Sequence, residues 1–199
     1  MTVTTFFPEP DTCACRTTMD AETQRIICAA CDEPFACLRS GAGTGSRDAC
    51  GDSSMSLVSG GTACEWYQMR RLLFIFPTST ICNSDTICSG TLCLVAIART
   101  DNFEQSAVVR SSSPASNINI ASTDHALACW GTVKFSNCVD LTCLTVDSAT
   151  LNTWCLNTCG LNCVSKTDVT KYSIALAPSD VCGTPVSYTH LRAHETVLD

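Results

Sequence analysis

Residues 129–163 read CWGTVKFSNCVDLTCLTVDSATLNTWCLNTCGLNC and hold six of the 17 cysteines of the chain. The residues between these cysteines are mostly Val, Leu, Thr, Phe and Trp, and few of them are charged. Valine, threonine and aromatic residues are enriched in β-strands, so the composition favours short strands. A segment this rich in cysteine can be held together by disulfide bonds or by a metal ion. The stretch therefore predicts a cross-linked β module.

We expect the cysteines of this stretch to form disulfide bonds mainly with one another and with Cys182. Cys155, Cys159 and Cys163 are spaced four residues apart, and on one helix they would share a face. At least two of them are therefore expected to reach back to earlier cysteines of the stretch. The pairing itself does not follow from spacing. The candidate disulfide residues are Cys129, Cys138, Cys143, Cys155, Cys159, Cys163 and Cys182.

Outward from this stretch, short apolar and alternating runs predict further strands. Residues 72–76 and 94–98 are continuous apolar runs and predict buried strands. Residues 117–120, 132–135 and 141–146 alternate polar and apolar side chains, and 172–176 forms a last strand-like run. Residues 19–27 interleave acidic and apolar residues and predict one short helix. The predicted fold class is mainly β, built from small disulfide-rich antiparallel β modules with that one helix.

Composition along the chain predicts four segments. Residues 1–99 form an N-terminal cysteine-rich module, and residues 125–185 form a C-terminal cysteine-rich β module. Residues 100–124 contain no cysteine and include the run SSSPAS, which is typical of a linker or long loop. Residues 186–199 are predicted to be a non-native tail.

The evidence for a non-native tail is the run VSYTHLRAHET at residues 186–196. It resembles, residue for residue, the translation of a transposase-type sequencing adapter. The resemblance implies an artefact of sequence read-through, which is excluded from reasoning about the fold. We therefore expect the chain to be a fragment whose true ends lie beyond the sequence read.

Composition also bears on compartment and partners. Seventeen cysteines are in the range that indicates a disulfide scaffold in a secreted chain. Charged residues make up only 16%, and the net charge of −7 is mildly acidic. The acidic residues are scattered and there is no basic run, which argues against a nucleic-acid partner. No apolar run of about 18 residues is present, so no membrane span is predicted. We expect an extracellular or cell-surface location, a signal peptide missing from this fragment, and a protein or cell-surface ligand as partner.

The alternative is an intracellular zinc-binding module. Cys13-x-Cys15 and Cys28-x-x-Cys31 are two closely spaced pairs, and zinc is commonly held by four thiolates in a tetrahedron. In a reducing compartment the same cysteines would favour metal over disulfide. Under the extracellular interpretation no cofactor is expected.

Candidates for catalysis are few. His125, beside Asp124, is the only histidine outside the non-native tail and is predicted to be a surface residue. No Gly-x-Ser-x-Gly element is present, and the carboxylates are sparse and isolated apart from Asp32-Glu33, so no pair of catalytic carboxylates is indicated. We therefore predict no enzyme and no catalytic residue. The expected function is that of a structural, adhesive or receptor-binding fragment of an extracellular protein.

The order of the cysteines carries one resemblance. It runs Cys64, Cys82-x5-Cys88-x4-Cys93, then Cys155-x3-Cys159-Gly160-x2-Cys163, followed by Tyr172, Ala177-Pro178 and Cys182. This order resembles class II fusion glycoproteins of phlebovirus type, in which a Cys-x3-Cys-Gly-Gly block lies near membrane-inserting loops of a β-rich ectodomain. The resemblance implies a viral envelope glycoprotein fragment, although no Gly-Cys-Gly-Cys-Phe element is present and no residue role is transferred. A further alternative is a spurious open reading frame.

Overall fold

The computed structural model describes residues 2–8, 19–26, 33–50, 55–59, 65–101, 104–126 and 130–183. Two short helices are described, α1 (Phe35–Ser40) and α2 (Thr158–Asn162). The strands are β1 (Met19–Ile26), β2 (Glu33–Pro34), β3 (Gly45–Cys50), β4 (Ser56–Ser59), β5 (Glu65–Phe76), β6 (Thr91–Val95), β7 (Ser106–Ser112), β8 (Trp130–Lys134), β9 (Val139–Asp140), β10 (Leu151–Cys155) and β11 (Thr170–Leu176). The predicted fold class, mainly antiparallel β, is confirmed.

Nine of the strands form one main sheet. Its central path runs β3-β1-β5-β11-β7-β8, with β2 and β4 also paired to β5 and β9 paired to β7. All of these pairings are antiparallel. β6 and β10 form a separate two-stranded ribbon, again antiparallel.

β5 is the longest described strand, with 12 residues. Its apolar end, residues 72–76, pairs with β11 in the register Phe74 opposite Tyr172. The same strand pairs with β1 through Thr23 opposite Arg71. The run of apolar residues allows β5 to be buried on both faces, which suits a central strand. The prediction of strands at 72–76 and 172–176 is confirmed.

The two faces of β5 contact different layers because successive side chains of a strand point to opposite sides. On one face Phe74 and Phe76 join Trp154 and Tyr172 in the main hydrophobic cluster, where the ring centroids of Phe76 and Tyr172 are 6.2 Å apart. On the other face Leu73 and Ile75 pack with Ile120 and Trp130. The second face also carries Arg71, which is fully buried.

The β6–β10 ribbon covers the first of these faces. Leu92 and Trp154 are the buried apolar side chains on its inner side and belong to the main hydrophobic cluster. Trp154 also donates a hydrogen bond from Nε1 to the carbonyl oxygen of Ala107 in β7, at 3.3 Å. The opposite side of the ribbon is exposed.

The helix predicted at residues 19–27 is wrong, because Met19–Ile26 is strand β1. This strand pairs with β3 on one side and with β5 on the other. An isolated helix of this length is marginally stable in water. As a strand between two others, the same segment has hydrogen-bonding partners for its backbone on both sides. The first helix of the described chain is α1, which begins after Pro34 and ends before Gly41.

The predicted linker at residues 100–124 contains strand β7, which lies between β11 and β8 in the main sheet. The predicted boundary therefore does not separate the strands of the sheet, since β5 from residues 1–99 pairs with β11 from residues 125–185. Three local predictions of secondary structure or burial are wrong. Residues 117–120 are not a strand, residues 141–143 form a 3₁₀ turn, and residues 95 and 97 of the supposed buried strand are exposed.

Candidate functional site

A cluster of buried charges lies on the face of the sheet opposite the main hydrophobic cluster. It is formed by Arg71, Arg110 and Asp180, each at most 2% exposed. Arg71 donates from Nε to Oδ2 of Asp180 at 2.8 Å and from Nη2 to Oδ1 at 2.7 Å. Arg110 donates from Nη2 to Oδ2 of the same carboxylate at 3.0 Å. One carboxylate therefore accepts hydrogen bonds from two guanidinium groups; we call these three residues the charge cluster.

Small residues in β11 leave space for these side chains. β11 lies between β5 and β7, and Ser173 is in register with Leu73 of β5 and Arg110 of β7. Ser173 and Ala175 are completely or almost completely buried on the same face of the strand. Larger side chains at these two positions would occupy the volume above the strand that the long arginine side chains require.

Asp180 lies in a π-helical turn, Ala177–Val181, that follows β11. The turn is fixed from both sides. Arg39 of α1 donates from Nε to the carbonyl oxygen of Asp180 at 2.7 Å, and Ser179 donates from Oγ to Oε1 of Gln105 at 2.9 Å.

Aromatic and histidine side chains complete the surroundings of the charge cluster. The Trp130 ring centroid lies 4.5 Å from Cζ of Arg110 and 5.2 Å from Cζ of Arg71, so both cations contact its π-face. Trp130 is held in place by a 2.9 Å hydrogen bond from Nε1 to the carbonyl oxygen of Asp124. Arg71 also donates from Nη1 to the carbonyl oxygen of His125.

The pKa values within the charge cluster follow from burial and from these contacts. Burial alone would raise the pKa of Asp180, but Arg71 and then Arg110 outweigh burial and leave that pKa lowered. Burial, opposed by Asp180, lowers the pKa of Arg110 to about 10. At neutral pH the cluster therefore contains one carboxylate and two guanidinium cations. Arg39 adds a third cation, with Nε at 3.8 Å from Oδ1 of Asp180.

His125 is fully buried, so its predicted surface position is wrong. Its Nδ1 lies 3.2 Å from Oγ1 of Thr23 in β1. Burial first, and then the positive charge of Arg71, lower the pKa of His125 to about 3. The imidazole is therefore neutral at physiological pH.

The second candidate surface is the outer side of the β6–β10 ribbon. Val95 pairs with Leu151 across the two strands, and Ile97, two residues after Val95, lies on the same side of the chain. Val95, Ile97 and Leu151 are exposed by 41%, 54% and 57%. We call these three residues the ribbon patch. Arg99 follows Ile97 by two positions and places a charge near the patch in the sequence.

The disulfide framework predicted from the sequence is not supported. The six candidates that the structure describes, and four further cysteines, are exposed free thiols: Cys37, Cys82, Cys88, Cys93, Cys138, Cys143, Cys155, Cys159, Cys163 and Cys182. Cys129 lies outside the described residues. The geometry of the ribbon gives a reason, because Cys93 is opposite Thr153 and Cys155 is opposite Thr91. Two cysteines related diagonally lie farther apart than a disulfide bond allows.

Two of these thiols, Cys93 and Cys163, have a raised pKa. Burial, and then the neighbouring Cys155, raise the pKa of Cys93. Burial, and then Cys159, raise the pKa of Cys163 in the same way. Because the thiolate is the reactive form, a raised pKa makes both cysteines weaker nucleophiles at neutral pH.

The predicted zinc ligands, Cys13, Cys15, Cys28 and Cys31, lie outside the described residues. In the ranges that the structure does describe, no group of three or more His, Cys, Asp or Glu side chains is placed to hold a metal ion. None of the described helices has the length and apolar character needed to cross a bilayer.

Sequence reasoning missed the charge cluster. Its signal was present as arginines inside apolar strands, the second of the pair Arg70-Arg71 in WYQMRRLLFIF and Arg110 in AVVRSS. A charge at such a position predicts either a solvated edge or a buried ion pair. The partner, Asp180, is 109 positions from Arg71, too far for a local pattern to indicate.

Comparison with known proteins adds no relative, since no family model, curated protein or solved structure matches the chain.

Proposed function

We propose that the chain is a non-enzymatic binding module, a structural, adhesive or receptor-binding part of an extracellular or cell-surface protein. The ribbon patch supports this proposal. Val95 and Leu151 form a directly paired aliphatic couple on the outer side of a two-stranded ribbon. Ile97 extends it along the chain, and all three side chains are 41% exposed or more. Apolar side chains that are exposed together can mark interaction sites.

The partner that fits this surface is a protein segment with aliphatic or aromatic side chains. An apolar centre with a polar margin is the usual anatomy of a protein interface. Here Arg99 lies two positions after Ile97, and its Nη1 donates to the carbonyl oxygens of Leu141, Thr142 and Leu144 at 3.0, 2.7 and 3.1 Å. These bonds hold the segment that follows Ile97 in a fixed shape before a partner binds, which lowers the entropic cost of binding.

Phage display of random peptides against residues 1–185 tests this surface. Peptides that bind through the ribbon patch should be rich in apolar residues and should lose at least tenfold in affinity against Leu151→Asp. Val133→Asp is the matched control, because Val133 is an aliphatic residue on β8 with 52% exposure. Selected peptides that bind Leu151→Asp as well as the parent protein would contradict the proposal. Recovery of the upstream coding sequence tests the compartment through the presence of a signal peptide.

A second candidate, an intracellular zinc-binding module, is favoured by one observation. The ten cysteines whose side chains the structure describes are exposed free thiols, a state typical of a reducing compartment. Metal analysis of protein purified under reducing conditions separates the two candidates. Stoichiometric zinc that is lost in Cys13→Ser and Cys28→Ser would favour the zinc module, and a metal-free folded protein would favour the binding module.

A further inference from the structure

Two buried hydrogen-bond donors, one in the charge cluster and one two residues from it, have no partner. Nε of Arg110 and Oγ of Ser112 are both inaccessible to solvent and make no hydrogen bond. The residues themselves are 2% and 7% exposed. Buried polar groups in folded proteins nearly always have a partner, so each such exception calls for an explanation.

The two donors belong to one small region. Arg110 and Ser112 are two residues apart in β7, so their side chains leave the same face of the strand. Ser112 is in register with Trp130 of β8, and the Trp130 ring lies 4.5 Å from Cζ of Arg110. The region is thus bounded by the end of β7 and by the Trp130 side chain.

The charge in this region is positive. Two buried cations, Arg71 and Arg110, share the single carboxylate of Asp180, so the charge cluster has a net charge of +1; Arg39, whose side chain is 23% exposed, lies 3.8 Å from the same carboxylate. The other buried acid nearby, Asp124, accepts hydrogen bonds from the backbone amides of Ala115 and Ala121 at 3.0 and 2.8 Å. An excess of buried cations is costly unless an anion compensates it.

We infer that Arg110 and Ser112 bind one small monovalent anion of halide size between Nε and Oγ, beside the Trp130 ring. Both groups donate hydrogen bonds, and one of them is cationic, which is the combination that an anion requires. Deep burial of both residues favours a compact ion with a small hydration shell over sulfate or phosphate, which carry more charge and need more donors. The anion would occupy the two donors and offset the excess positive charge.

Bromide is the probe that tests this inference. Crystals soaked in sodium bromide should give an anomalous peak within hydrogen-bonding distance of Arg110 Nε and Ser112 Oγ. In solution, bromide should raise the midpoint of thermal unfolding in a saturable manner when ionic strength is held constant with sodium gluconate, whose anion is too large for the site.

Ser112→Ala should weaken the apparent bromide affinity at least tenfold, and Ser113→Ala, an exposed neighbour, should leave it unchanged. Arg110→Lys is a second variant that keeps the positive charge and removes Nε, so it too should lose the saturable response. A water molecule with no anomalous signal at this position would overturn the inference. An equal bromide response in Ser112→Ala and in the parent protein would overturn it as well.

Discussion

His125 shows how a single residue can link stability to pH. Its ring is fully buried beside Thr23, and its pKa is lowered to about 3. In the unfolded chain the pKa of histidine is about 6.5. Between these two values the unfolded chain binds a proton that the folded protein does not, so stability falls as the pH decreases from about 6.5 toward 3.

We expect His125→Gln to remove this dependence. The free energy of unfolding of the parent protein should fall with decreasing pH more steeply than that of the variant, by up to about 1.4 kcal/mol per pH unit. Urea unfolding between pH 7.5 and 4 measures both slopes, and residues 1–185 contain no other histidine. Parallel curves for the two proteins would contradict the buried neutral state of His125.

At the scale of an element, α2 is held against the sheet by one glycine and one tyrosine. Tyr172 of β11 donates from Oη to the carbonyl oxygen of Gly160 at 2.8 Å in a buried position. A Cβ atom at Gly160 would lie 2.9 Å from the carbonyl oxygen of Phe135 and 3.0 Å from its Cβ. The helix can approach the chain at Phe135 this closely only because residue 160 has no side chain.

Gly160→Ala should therefore destabilise the protein by about 1–3 kcal/mol, the usual cost of overpacking. Alanine is more favourable than glycine within a helix by about 1 kcal/mol, so the steric cost of the added Cβ must exceed this gain for the variant to be less stable. Gly90→Ala is the matched control, because its Cβ would meet only the ends of the Leu161 and Leu156 side chains, at 3.0 and 3.1 Å. Chemical denaturation of both variants measures the difference, and equal stabilities would show that α2 is not packed as described.

For the whole molecule, the main sheet joins the two cysteine-rich regions of the sequence. β5 precedes the cysteine-free segment, β7 lies within it, and β11 follows it, yet the three strands are consecutive in the sheet. Phe74 opposite Tyr172 and Arg110 opposite Ser173 are typical contacts between these regions. Each region alone therefore lacks strands that pair with its own strands in the main sheet.

We expect residues 1–124 and 125–185, produced separately, to lack a cooperative unfolding transition. The first fragment keeps β5 and β7 but loses β11 between them, so both strands would expose unpaired edges. Residues 1–185 are the control and should unfold in a single cooperative step. Urea titration followed by circular dichroism measures all three, and a cooperative transition in either fragment would contradict this prediction.

The local sequence predicted a strand correctly where the apolar pattern agrees with the burial and strand pairing of the folded chain. Residues 72–76 and 172–176 are apolar over several positions, and both are central strands in the structure. Residues 19–27 carry an ambiguous pattern, and pairing with β3 and β5 decided their conformation. The charge cluster depends on contacts between residues 70 and 109 positions apart, which no local periodicity can encode. The number of cysteines likewise showed that they are frequent in the sequence, but it could not show the distances between their sulfur atoms, on which disulfide formation depends.

The position of β11 has a consequence during protein synthesis. β11 is the last strand of the described chain to leave the ribosome, yet it lies between β5 and β7. About 90 residues separate the end of β5 from the start of β11. At roughly 5–20 residues per second, their translation takes on the order of 5–20 seconds. Throughout that interval the apolar strand β5 has no partner on its β11 side, so the nascent chain is a natural client for chaperones that bind extended apolar segments.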